Sequence, residues 1–395
     1  MTARLWLVSG FGLTLPLSAD KYAESGVLST RVVKENLALR EPTKIDDIPL
    51  IIRVLHMGIT CLIFRMNDRD HNHVHIRPKI SLVCPTRNEG PFLLEWIAWH
   101  RMLGFDDILV LSNDCVDGSD TLLDALSARG FIRHRPHVPN DGEPPLRSAY
   151  RATRLDPTLL AADWVMALDA DEFLQIFVGN GSIHDLIALN GQECLGMAIY
   201  WKCFGSGGRV HWEDGFVREQ FTMAATGQTE PNQYFKSIFR KLERFGKINS
   251  HSPRDFADSW GGQNIWVDCD GVKLGAVRLD AKAKHFRSTS AERITHRSAQ
   301  VNHYVVKSAE GFALKSTQTS GSKLIYRHDA EFFEYYDNND VEDMSALTRE
   351  DAFAKEYAKI ASDPEILRLH HACCANYAER LGEHAGDDLV DDGRF

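Results

Sequence analysis

Three features that mark particular classes of protein are missing from this sequence. The eight cysteines include no C-x-x-C pair, so a zinc ribbon is not supported. Positive charge is in deficit, since 45 lysines and arginines face 55 aspartates and glutamates and leave a formal net charge of -10. A polyanion partner requires a basic face, and nucleic acid is therefore not expected as a partner. A long uninterrupted apolar run is also missing, and no transmembrane helix is predicted.

The two longest apolar stretches are explained without a membrane span. Residues 5–17 contain two glycines and a proline behind a single basic residue, which is a poor match to a secretory signal. Residues 48–64 are interrupted by Arg53 and His56, and we predict an amphipathic helix that leads into a strand at 59–64. Several cysteines lie in apolar runs, which indicates a reducing compartment. The predicted location is the cytoplasm, with peripheral association at the inner face of the membrane as an alternative.

The length of the chain suggests two or three domain-sized units. With 395 residues, 44% of them hydrophobic, the chain can bury a sizeable core. We expect an N-terminal extension of unnamed role at 1–76, a main domain at 77–330 and a helical C-terminal extension at 331–395. The first segment ends in three alternate histidines, His71, His73 and His75. They would share one face of a strand and could bind a metal, but a solvated surface strand is the preferred interpretation.

From residue 77 onward the hydrophobic pattern is that of an α/β domain. Short apolar runs at 80–84 and 108–111 predict buried strands, and apolar residues at helical spacing predict helices at 91–103 and 120–129. This β-α-β-α order is the signature of a Rossmann-like, mostly parallel sheet with flanking helices. Ligands of such sheets bind at the carboxyl edge, where both connecting turns lie.

A further strand, predicted at 164–168, runs directly into Asp169-Ala170-Asp171. Two carboxylates at this spacing, where a strand meets a loop, can jointly hold one hard cation such as Mg²⁺ or Mn²⁺. A cation held there would neutralise a departing diphosphate. The alternative is a strand end capped by solvated acids, but the position at the edge of a parallel sheet favours the metal site.

The two turns at this edge offer polar side chains to a nucleotide. The first turn comprises Pro85, Thr86, Arg87, Asn88 and Glu89. Arg87 is expected to face a phosphate, while Asn88 and Glu89 are expected to bond a base or ribose. Asn88 is at the same time a candidate N-cap of the helix that starts near Pro91. In the second turn, Asn113 and Asp114 leave the strand directly and suit a ligand, whereas Asp117 or Ser119 is expected to cap the next helix.

Taken in order, these motifs resemble the glycosyltransferase family 2 pattern, and most closely a bacterial subgroup similar to glycosyltransferase family 92. The likeness covers 80–316 and rests on P-T-R-N-E at 85–89, W-x-x-x-H at 96–100, N-D-x-x-D-G at 113–118, D-A-D-E-F at 169–173, W-x-x-F-G-S-x-G at 201–208 and H-Y with S-x-E-x-F and K at 303–315. The resemblance implies a GT-A fold, a nucleotide-sugar donor and a divalent metal. Asn113 stands where family 2 usually has Asp, and Arg209 stands where the downstream loop usually ends in His.

The resemblance also implies roles for single residues. It makes His303 the third metal ligand beside Asp169 and Asp171, with His285 and His251 as rivals, whereas His100 is expected to be structural. The catalytic base of an inverting transfer is expected after the glycine-rich loop, with Glu219 preferred over Asp214. Lys236 and Arg240 are candidate contacts of the diphosphate or of the acceptor.

The sequence thus predicts a glycosyltransferase of class EC 2.4. Its expected partners are a nucleotide-diphosphate sugar, UDP-linked by preference, and a glycan or glycolipid acceptor in polysaccharide biosynthesis, with Mn²⁺ or Mg²⁺ as cofactor. A nucleotidyltransferase is the first alternative, although the turn at 85–90 is not the Gly-rich basic loop that such enzymes usually carry. A non-catalytic protein that binds nucleotides or glycans on the same scaffold is the second.

Overall fold

The computed structural model describes most of the chain beyond residue 76. Apart from three short strands nearer the N terminus, the described residues are 77–191, 194–256, 265–276 and 286–385. The chain forms two compact units, 1–76 and 77–395, so the C-terminal helices belong to the same unit as the main sheet.

In the first unit, β1 (Arg4–Val8) pairs antiparallel with β2 (Thr14–Ser18) and with β3 (Ile51–Ile52). An amphipathic helix was predicted ahead of the strand at 59–64. The described residues there are those of β3, which is a strand. The strand predicted at 59–64 and the three alternate histidines lie outside the described residues.

In the described part of the second unit, ten strands form one mixed sheet. They are β4 (Ile80–Thr86), β5 (Asp107–Ser112), β6 (Arg133–Pro136), β7 (Trp164–Ala167), β8 (Glu172–Ile176), β9 (Gly196–Cys203), β11 (Phe235–Arg240), β14 (Ile265–Asp268), β15 (Lys273–Ala276) and β16 (Ala299–His303). The order is β15-β14-β9-β11-β7-β4-β5-β6, with β16 paired to β9 and β8 paired to β16. Five of the nine neighbouring pairs run parallel. β11 is antiparallel to both β7 and β9, and β14–β15 and β8–β16 are antiparallel pairs at the margins of the sheet. The predicted α/β class with a mostly parallel sheet is confirmed.

The sheet is covered on both faces, which explains the apolar runs in its strands. Along β4, Leu82 and Cys84 pack into one core and Val83 packs into the other. Since neither face meets water, the strand needs no alternation of polar and apolar residues.

Ten helices accompany the sheets in the described residues. They are α1 (Gly90–Met102), α2 (Ser119–Ala128), α3 (Pro145–Thr153), α4 (Pro157–Leu160), α5 (Ile183–Asn190), α6 (Val217–Gln220), α7 (Ala309–Ser316), α8 (Ala330–Tyr336), α9 (Glu350–Ala361) and α10 (Pro364–Ala385). Short 3-10 turns lie at Glu230–Gln233, Leu242–Arg244, Ala291–Arg293 and Ser345–Leu347. Two small two-stranded sheets pair β10 (Met223–Ala224) with β17 (Val341–Glu342), and β12 (Phe245–Lys247) with β13 (Arg254–Phe256). No helix in these ranges combines the length and apolar character needed to cross a bilayer.

A buried carboxylate joins the N termini of α1 and α2. Asp117 accepts hydrogen bonds from Gly90 N at 2.9 Å and from Ser119 N at 3.0 Å. It therefore orders the start of both helices. The N-cap position of α2 is Gly118, without a side-chain capping bond, so the prediction that Asp117 or Ser119 caps this helix is wrong. The prediction that Asn88 is the N-cap of α1 is wrong. The backbone of Asn88 is left-handed, with φ 58°, and its side chain accepts from Val116 N at 2.8 Å, so it links the two polar turns.

The C-terminal helices α9 and α10 pack against α1. Arg101 of α1 donates to Glu356 of α9 at 2.8 Å, and Tyr377 of α10 meets Phe92 of α1 edge to face. The predicted helical C-terminal segment therefore supports the helix that follows the first polar turn.

Candidate functional site

A cavity of about 820 Å³ opens at the carboxyl edge of the parallel strands, and we call it the central cavity. Its wall brings together most of the residues singled out from the sequence, namely Pro85, Thr86, Arg87, Asn88, Glu89, Asn113, Asp169, Asp171 and His303. The wall also includes the segment 246–251, one side each of α3 and α7, the loop 318–328 and residues of α8 and α10. The expected site residues therefore come from four separate stretches of chain.

The loop that carries Asp169 and Asp171 is held in place by its backbone. Asp169 O accepts from the indole of Trp96 at 3.1 Å, and Asp169 N donates to Glu172 at 2.8 Å. Asp171 O accepts from Tyr304 N at 2.8 Å. Because α1 and the end of β16 both bind this loop, the two carboxylates project from a fixed turn.

His303, at the end of β16, lies beside Asp171. Its Nε2 is 3.9 Å from Asp171 Oδ1, and its ring packs on Trp201 with 4.1 Å between the ring centres. Burial lowers the pKa of His303 to about 3, so the imidazole is neutral at physiological pH, which is the form that binds metals. Its Nδ1 is buried without a hydrogen-bond partner among the described residues.

The donor atoms of these residues suit a divalent cation, although the three side chains are not gathered within 4.8 Å of one another in the described structure. Two carboxylates from Asp169 and Asp171 and a neutral imidazole from His303 form an oxygen and nitrogen donor set that suits Mn²⁺. Asp171 is ready to act as a ligand in its charged form. Burial alone would raise the pKa of Asp171, but Lys315, with His303 and Lys307, holds that pKa well below its ordinary value.

Two lysines add positive charge beside this group. Lys315 Nζ lies 2.7 Å from Asp171 Oδ2, and Lys307 Nζ lies 3.7 Å from Glu89 and 4.4 Å from the ring centre of Phe92. Lys307 is buried and adopts a left-handed backbone with φ 56°, which is uncommon for a residue other than glycine. Such strained positions cluster at ligand sites.

Lys236 and Arg240 occupy opposite ends of β11, and the antiparallel pairing with β7 puts the Lys236 end at the carboxyl edge. Lys236 lies near the carboxyl edge, fully buried, with Nζ 2.8 Å from Asp169 and 2.7 Å from Glu172. It does not line the central cavity but supports Asp169 from beneath. Arg240 pairs in register with Trp164, at the far end of β7.

The two polar turns meet at the cavity wall. Asn113 lines it, whereas Asp114 does not and instead accepts from the Asn113 amide at 3.0 Å. Thr86 presents a buried hydroxyl that has no partner among the described residues. Arg87 donates to Thr319 O at 2.8 Å, which ties the first turn to the loop after α7.

The expected catalytic bases lie elsewhere in this structure. Glu219 and Asp214 are exposed, and neither lines the central cavity. Glu95 of α1 accepts from Val217 N at 2.7 Å and thereby fixes α6, which carries Glu219, against α1. A role for either residue as base requires the segment 205–221 to move toward the cavity.

The other two described histidines considered from the sequence differ in their position relative to the central cavity. His251 lines the cavity, and its Nδ1 lies 2.8 Å from Phe235 O. Its ring also packs against Trp201, which His303 contacts too. His285 lies outside the described residues. His100 is fully buried in α1, away from the cavity wall.

Sequence reasoning missed most of the basic wall. Eleven lysines and arginines line the cavity in the described residues, against four acids: Arg87, Arg147, Arg151, Lys247, Arg254, Arg287, Lys307, Lys315, Lys323, Arg327 and Arg380. Of these eleven residues, only Arg87 was predicted to lie at the donor site. Lys315 belongs to a motif but had no predicted role. Lys307 lies inside the motif at 303–315 but at a position without a predicted role. The other residues come from segments without a recognisable motif, so no local signal identified them.

Comparison with known proteins gives weak similarity to glycosyltransferase family 92. No protein-family model matches the chain. A family 92 protein of Oryza sativa subsp. japonica is 28% identical over 149 residues, which is 36% of this chain and 25% of that protein. A family 92 protein of Ricinus communis is 25% identical over 142 residues, or 34% of this chain and 24% of that protein. The chain thus matches about a quarter of the length of these curated relatives.

Solved structures give only distant likenesses. A mannosyltransferase of Pyrobaculum calidifontis, in complex with GDP-Man and Mn²⁺, is 14% identical with a TM-score of 0.30, over 79% of this chain and 81% of that one. Glucosyl-3-phosphoglycerate synthase of Mycobacterium tuberculosis, in complex with Mn²⁺ and UDP-glucose, is 14% identical with a TM-score of 0.27, over 51% of this chain and 73% of that one. Scores this low establish neither fold nor function for this chain.

Proposed function

We propose that this chain is a GT-A type glycosyltransferase of class EC 2.4. It transfers a sugar from a nucleotide-diphosphate donor, UDP-linked by preference, to a glycan or glycolipid acceptor. The observation that carries the proposal is the grouping of Asp169, Asp171 and His303 beside Lys315 in one cavity at the carboxyl edge of the sheet. The partial similarity to family 92 proteins supports it. Both relatives are plant proteins, and membership of the bacterial subgroup stays a prediction.

In this proposal the residues of the cavity divide the work of binding the donor. Asp169, Asp171 and His303 hold Mn²⁺ or Mg²⁺, and a bound cation supplies charge neutralisation for the departing diphosphate. Lys307 and Lys315 face the same phosphates and stabilise the negative charge that develops as the sugar–phosphate bond breaks. Lys236 keeps Asp169 in place from below the cavity floor.

The turns bind the rest of the donor. Asn88, Glu89 and Asn113 lie where the base and ribose reach the wall, and Arg87 faces a phosphate. Burial raises the pKa of Glu89 against the opposing effect of Lys307 and Lys315, and its carboxyl group lies where it can bond ribose hydroxyls. We place the reaction in polysaccharide biosynthesis at the cytoplasmic side of the membrane, with inversion at the anomeric carbon.

Binding of UDP to the full chain, measured by titration calorimetry with and without Mn²⁺, tests the metal site. We expect Asp171→Asn to abolish metal-dependent UDP binding while circular dichroism stays unchanged. Asp351→Asn, an exposed acid on α9, is the matched control. UDP binding that survives excess EDTA and the Asp171 substitution would remove the metal from the proposal. Screening nucleotide sugars for nucleoside diphosphate release, and nucleoside triphosphates for pyrophosphate release, separates transferase from nucleotidyltransferase.

Substitution of Glu219 tests whether the segment 205–221 moves during turnover. Loss of a general base costs about a hundred- to ten-thousand-fold in rate, whereas an exposed acid away from the reaction contributes almost nothing. If the cavity keeps the form seen here, Glu219→Gln and Asp214→Asn retain near wild-type kcat. A large loss in Glu219→Gln alone, with UDP binding intact, would identify Glu219 as the base and require that movement.

A further inference from the structure

A second group of ligand atoms lies apart from the central cavity, between α10 and the segment that follows β9. Asp214, His370 and Cys374 place one oxygen, one nitrogen and one sulfur atom within 4.8 Å of one another. In the described residues this is the only set of three His, Cys, Asp or Glu side chains gathered so closely. None of the three lines the central cavity.

Helix geometry explains how two of these side chains meet. His370 and Cys374 are four residues apart on α10 and therefore share one face of the helix. Both are buried, with 8% and 7% of their surface exposed, while Asp214 remains exposed to solvent. The site thus has two ligands fixed in the protein and one at the surface, where water has access.

The two distances from the sulfur match those of a tetrahedral metal site. Cys374 Sγ is 3.6 Å from Asp214 Oδ1 and 3.8 Å from His370 Nε2. Bond lengths of about 2.3 Å from zinc to sulfur and about 2.1 Å from zinc to nitrogen or oxygen place such ligand atoms about 3.6 Å apart at tetrahedral angles. The two distances from the sulfur agree with this value, and the third pair, Asp214 and His370, lies within 4.8 Å. One ion can therefore contact all three side chains once the exposed Asp214 side chain adjusts its position.

We propose that Asp214, His370 and Cys374 bind one zinc ion, with water as the fourth ligand. The sulfur ligand distinguishes this site from the oxygen-rich group at Asp169 and Asp171, since thiolate and imidazole suit zinc whereas carboxylates suit Mn²⁺ and Mg²⁺. The proposal is independent of the glycosyltransferase activity, because no residue of the central cavity takes part.

At this position a zinc ion would join two segments of the chain beside the central cavity. Beyond the two ligands, α10 supplies Tyr377 and Arg380 to the wall of the central cavity. Tyr377 also packs against Trp212, two residues before Asp214, with 5.2 Å between the ring centres. A zinc ion would therefore fasten the segment after β9 to the helix that shapes one side of the cavity.

The chain offers a matched control next to each buried ligand. Cys373 and His371 neighbour the two helix ligands but are not members of the group. The test compares Cys374→Ser with Cys373→Ser and His370→Ala with His371→Ala in the full chain. All four are made in an Asp171→Asn background, so that the central cavity does not contribute a metal ion.

Zinc content after dialysis and the spectrum of the cobalt-substituted protein are the measurements. We expect one zinc per chain in the background protein and in both controls, and a cobalt–thiolate charge-transfer band in each. Cys374→Ser should lose the band, and His370→Ala should lower zinc affinity by at least about a hundredfold. Asp214→Asn, which changes only an exposed side chain, should weaken zinc binding without affecting the fold.

Two outcomes would overturn the proposal. One is a background protein that binds no zinc at micromolar concentrations, in which case the three groups are only a hydrogen-bonded thiol. The other is equal zinc loss in Cys373→Ser and Cys374→Ser, or a cobalt band that survives Cys374→Ser. Neither result depends on transferase activity, so a failure here leaves the proposed function untouched.

Discussion

His100 is held in its neutral form by two backbone groups. Its Nδ1 lies 2.8 Å from Trp96 O, and its Nε2 lies 3.3 Å from Leu174 N. The first nitrogen must donate to the carbonyl, and the second must accept from the amide. A second proton would set the Nε2–H group of His100 against the N–H group of Leu174. Burial also disfavours the charged ring and lowers the pKa of His100 to about 3. The structural role expected for this residue therefore has a definite electrostatic consequence.

We expect buried His100 to take stability away from the protein as the pH falls below about 6.5. In that range the unfolded chain takes up a proton at His100 while the folded chain does not, so each step of one pH unit removes up to about 1.4 kcal/mol from the free energy of unfolding. His296, whose pKa burial lowers to about 4, adds to this effect. Urea unfolding at several pH values between 7 and 5 should show a weaker pH dependence in His100→Gln, by about one proton. The exposed His371→Gln should keep the wild-type slope, and equal slopes in all three proteins would contradict the argument.

Lys315 is expected to affect the cation and the nucleotide in opposite directions. Its ammonium lies 2.7 Å from Asp171 Oδ2, where it competes with a cation for the carboxylate. Lys315→Met should therefore raise the affinity for Mn²⁺ alone, while it lowers the affinity for UDP in the presence of Mn²⁺ by about tenfold, which corresponds to about 1.4 kcal/mol. Calorimetry measures both, with the exposed Lys355→Met on α9 as control. A loss of affinity for both ligands would mean that Lys315 only stabilises the fold.

At the scale of elements, α6 shows how a four-residue helix is fixed in the fold. Arg218 is buried, lies 3.0 Å from Glu95 of α1 and 2.7 Å from Glu350 of α9, and stacks over the ring of Phe353 at 3.9 Å. It thereby joins three helices. This role was not predictable, because a lone arginine in a short polar stretch has the pattern of a surface residue.

Removing the charge of Arg218 should destabilise the protein strongly. Arg218→Met leaves Glu95 buried without its cation, which typically costs about 3–5 kcal/mol. Glu95→Gln together with Arg218→Met should recover a large part of that loss, because no unpaired charge then stays buried. A thermodynamic cycle from urea unfolding measures the coupling between the two residues. Additive effects would show that the ion pair does not control the position of α6.

The elements that were predicted correctly are those with a strong local pattern. The strands β4, β5 and β7 and the helices α1 and α2 follow from apolar runs and from helical spacing, and their ends agree to within about two residues. The direction of β11 was not accessible, because apolar alternation is the same in either direction. Hence Lys236 and Arg240 seemed equivalent in the sequence, whereas the antiparallel register puts Lys236, and not Arg240, near the carboxyl edge of the sheet.

Contacts between distant segments were the hardest to predict. The sequence placed Asp169 and Asp171 at the edge of the sheet, but only the pairing of β16 with β8 and β9 brings His303 beside them. Most of the basic wall comes from loops and helix ends that meet through tertiary packing. Glu219 and Asp214 were chosen by position after a motif, which carries no information on the side of the fold to which a segment turns.

For the molecule as a whole, charge is divided unevenly between the central cavity and the remaining surface. The chain has a formal net charge of -10, yet the described wall of the cavity has eleven basic residues and four acidic ones. The net charge of a diphosphate with its bound divalent cation would offset only part of this excess of basic residues. Such an arrangement attracts anions into the cavity while the rest of the molecule repels them.

The binding of UDP should consequently depend on ionic strength. Between about 0.1 M and about 1 M salt the Debye length falls from about 10 Å to about 3 Å, so the long-range attraction of the wall for the phosphates is lost. We expect UDP affinity in the presence of Mn²⁺ to fall by about tenfold or more over this range. The affinity for uridine, which has no phosphate charge, should stay nearly constant. Arg147→Glu, which reverses one exposed charge on the wall, should weaken UDP binding at low salt and have little effect at high salt. Lys355→Glu, outside the cavity, is the control, and an equal salt dependence for UDP and uridine would show that the basic wall does not act on the donor.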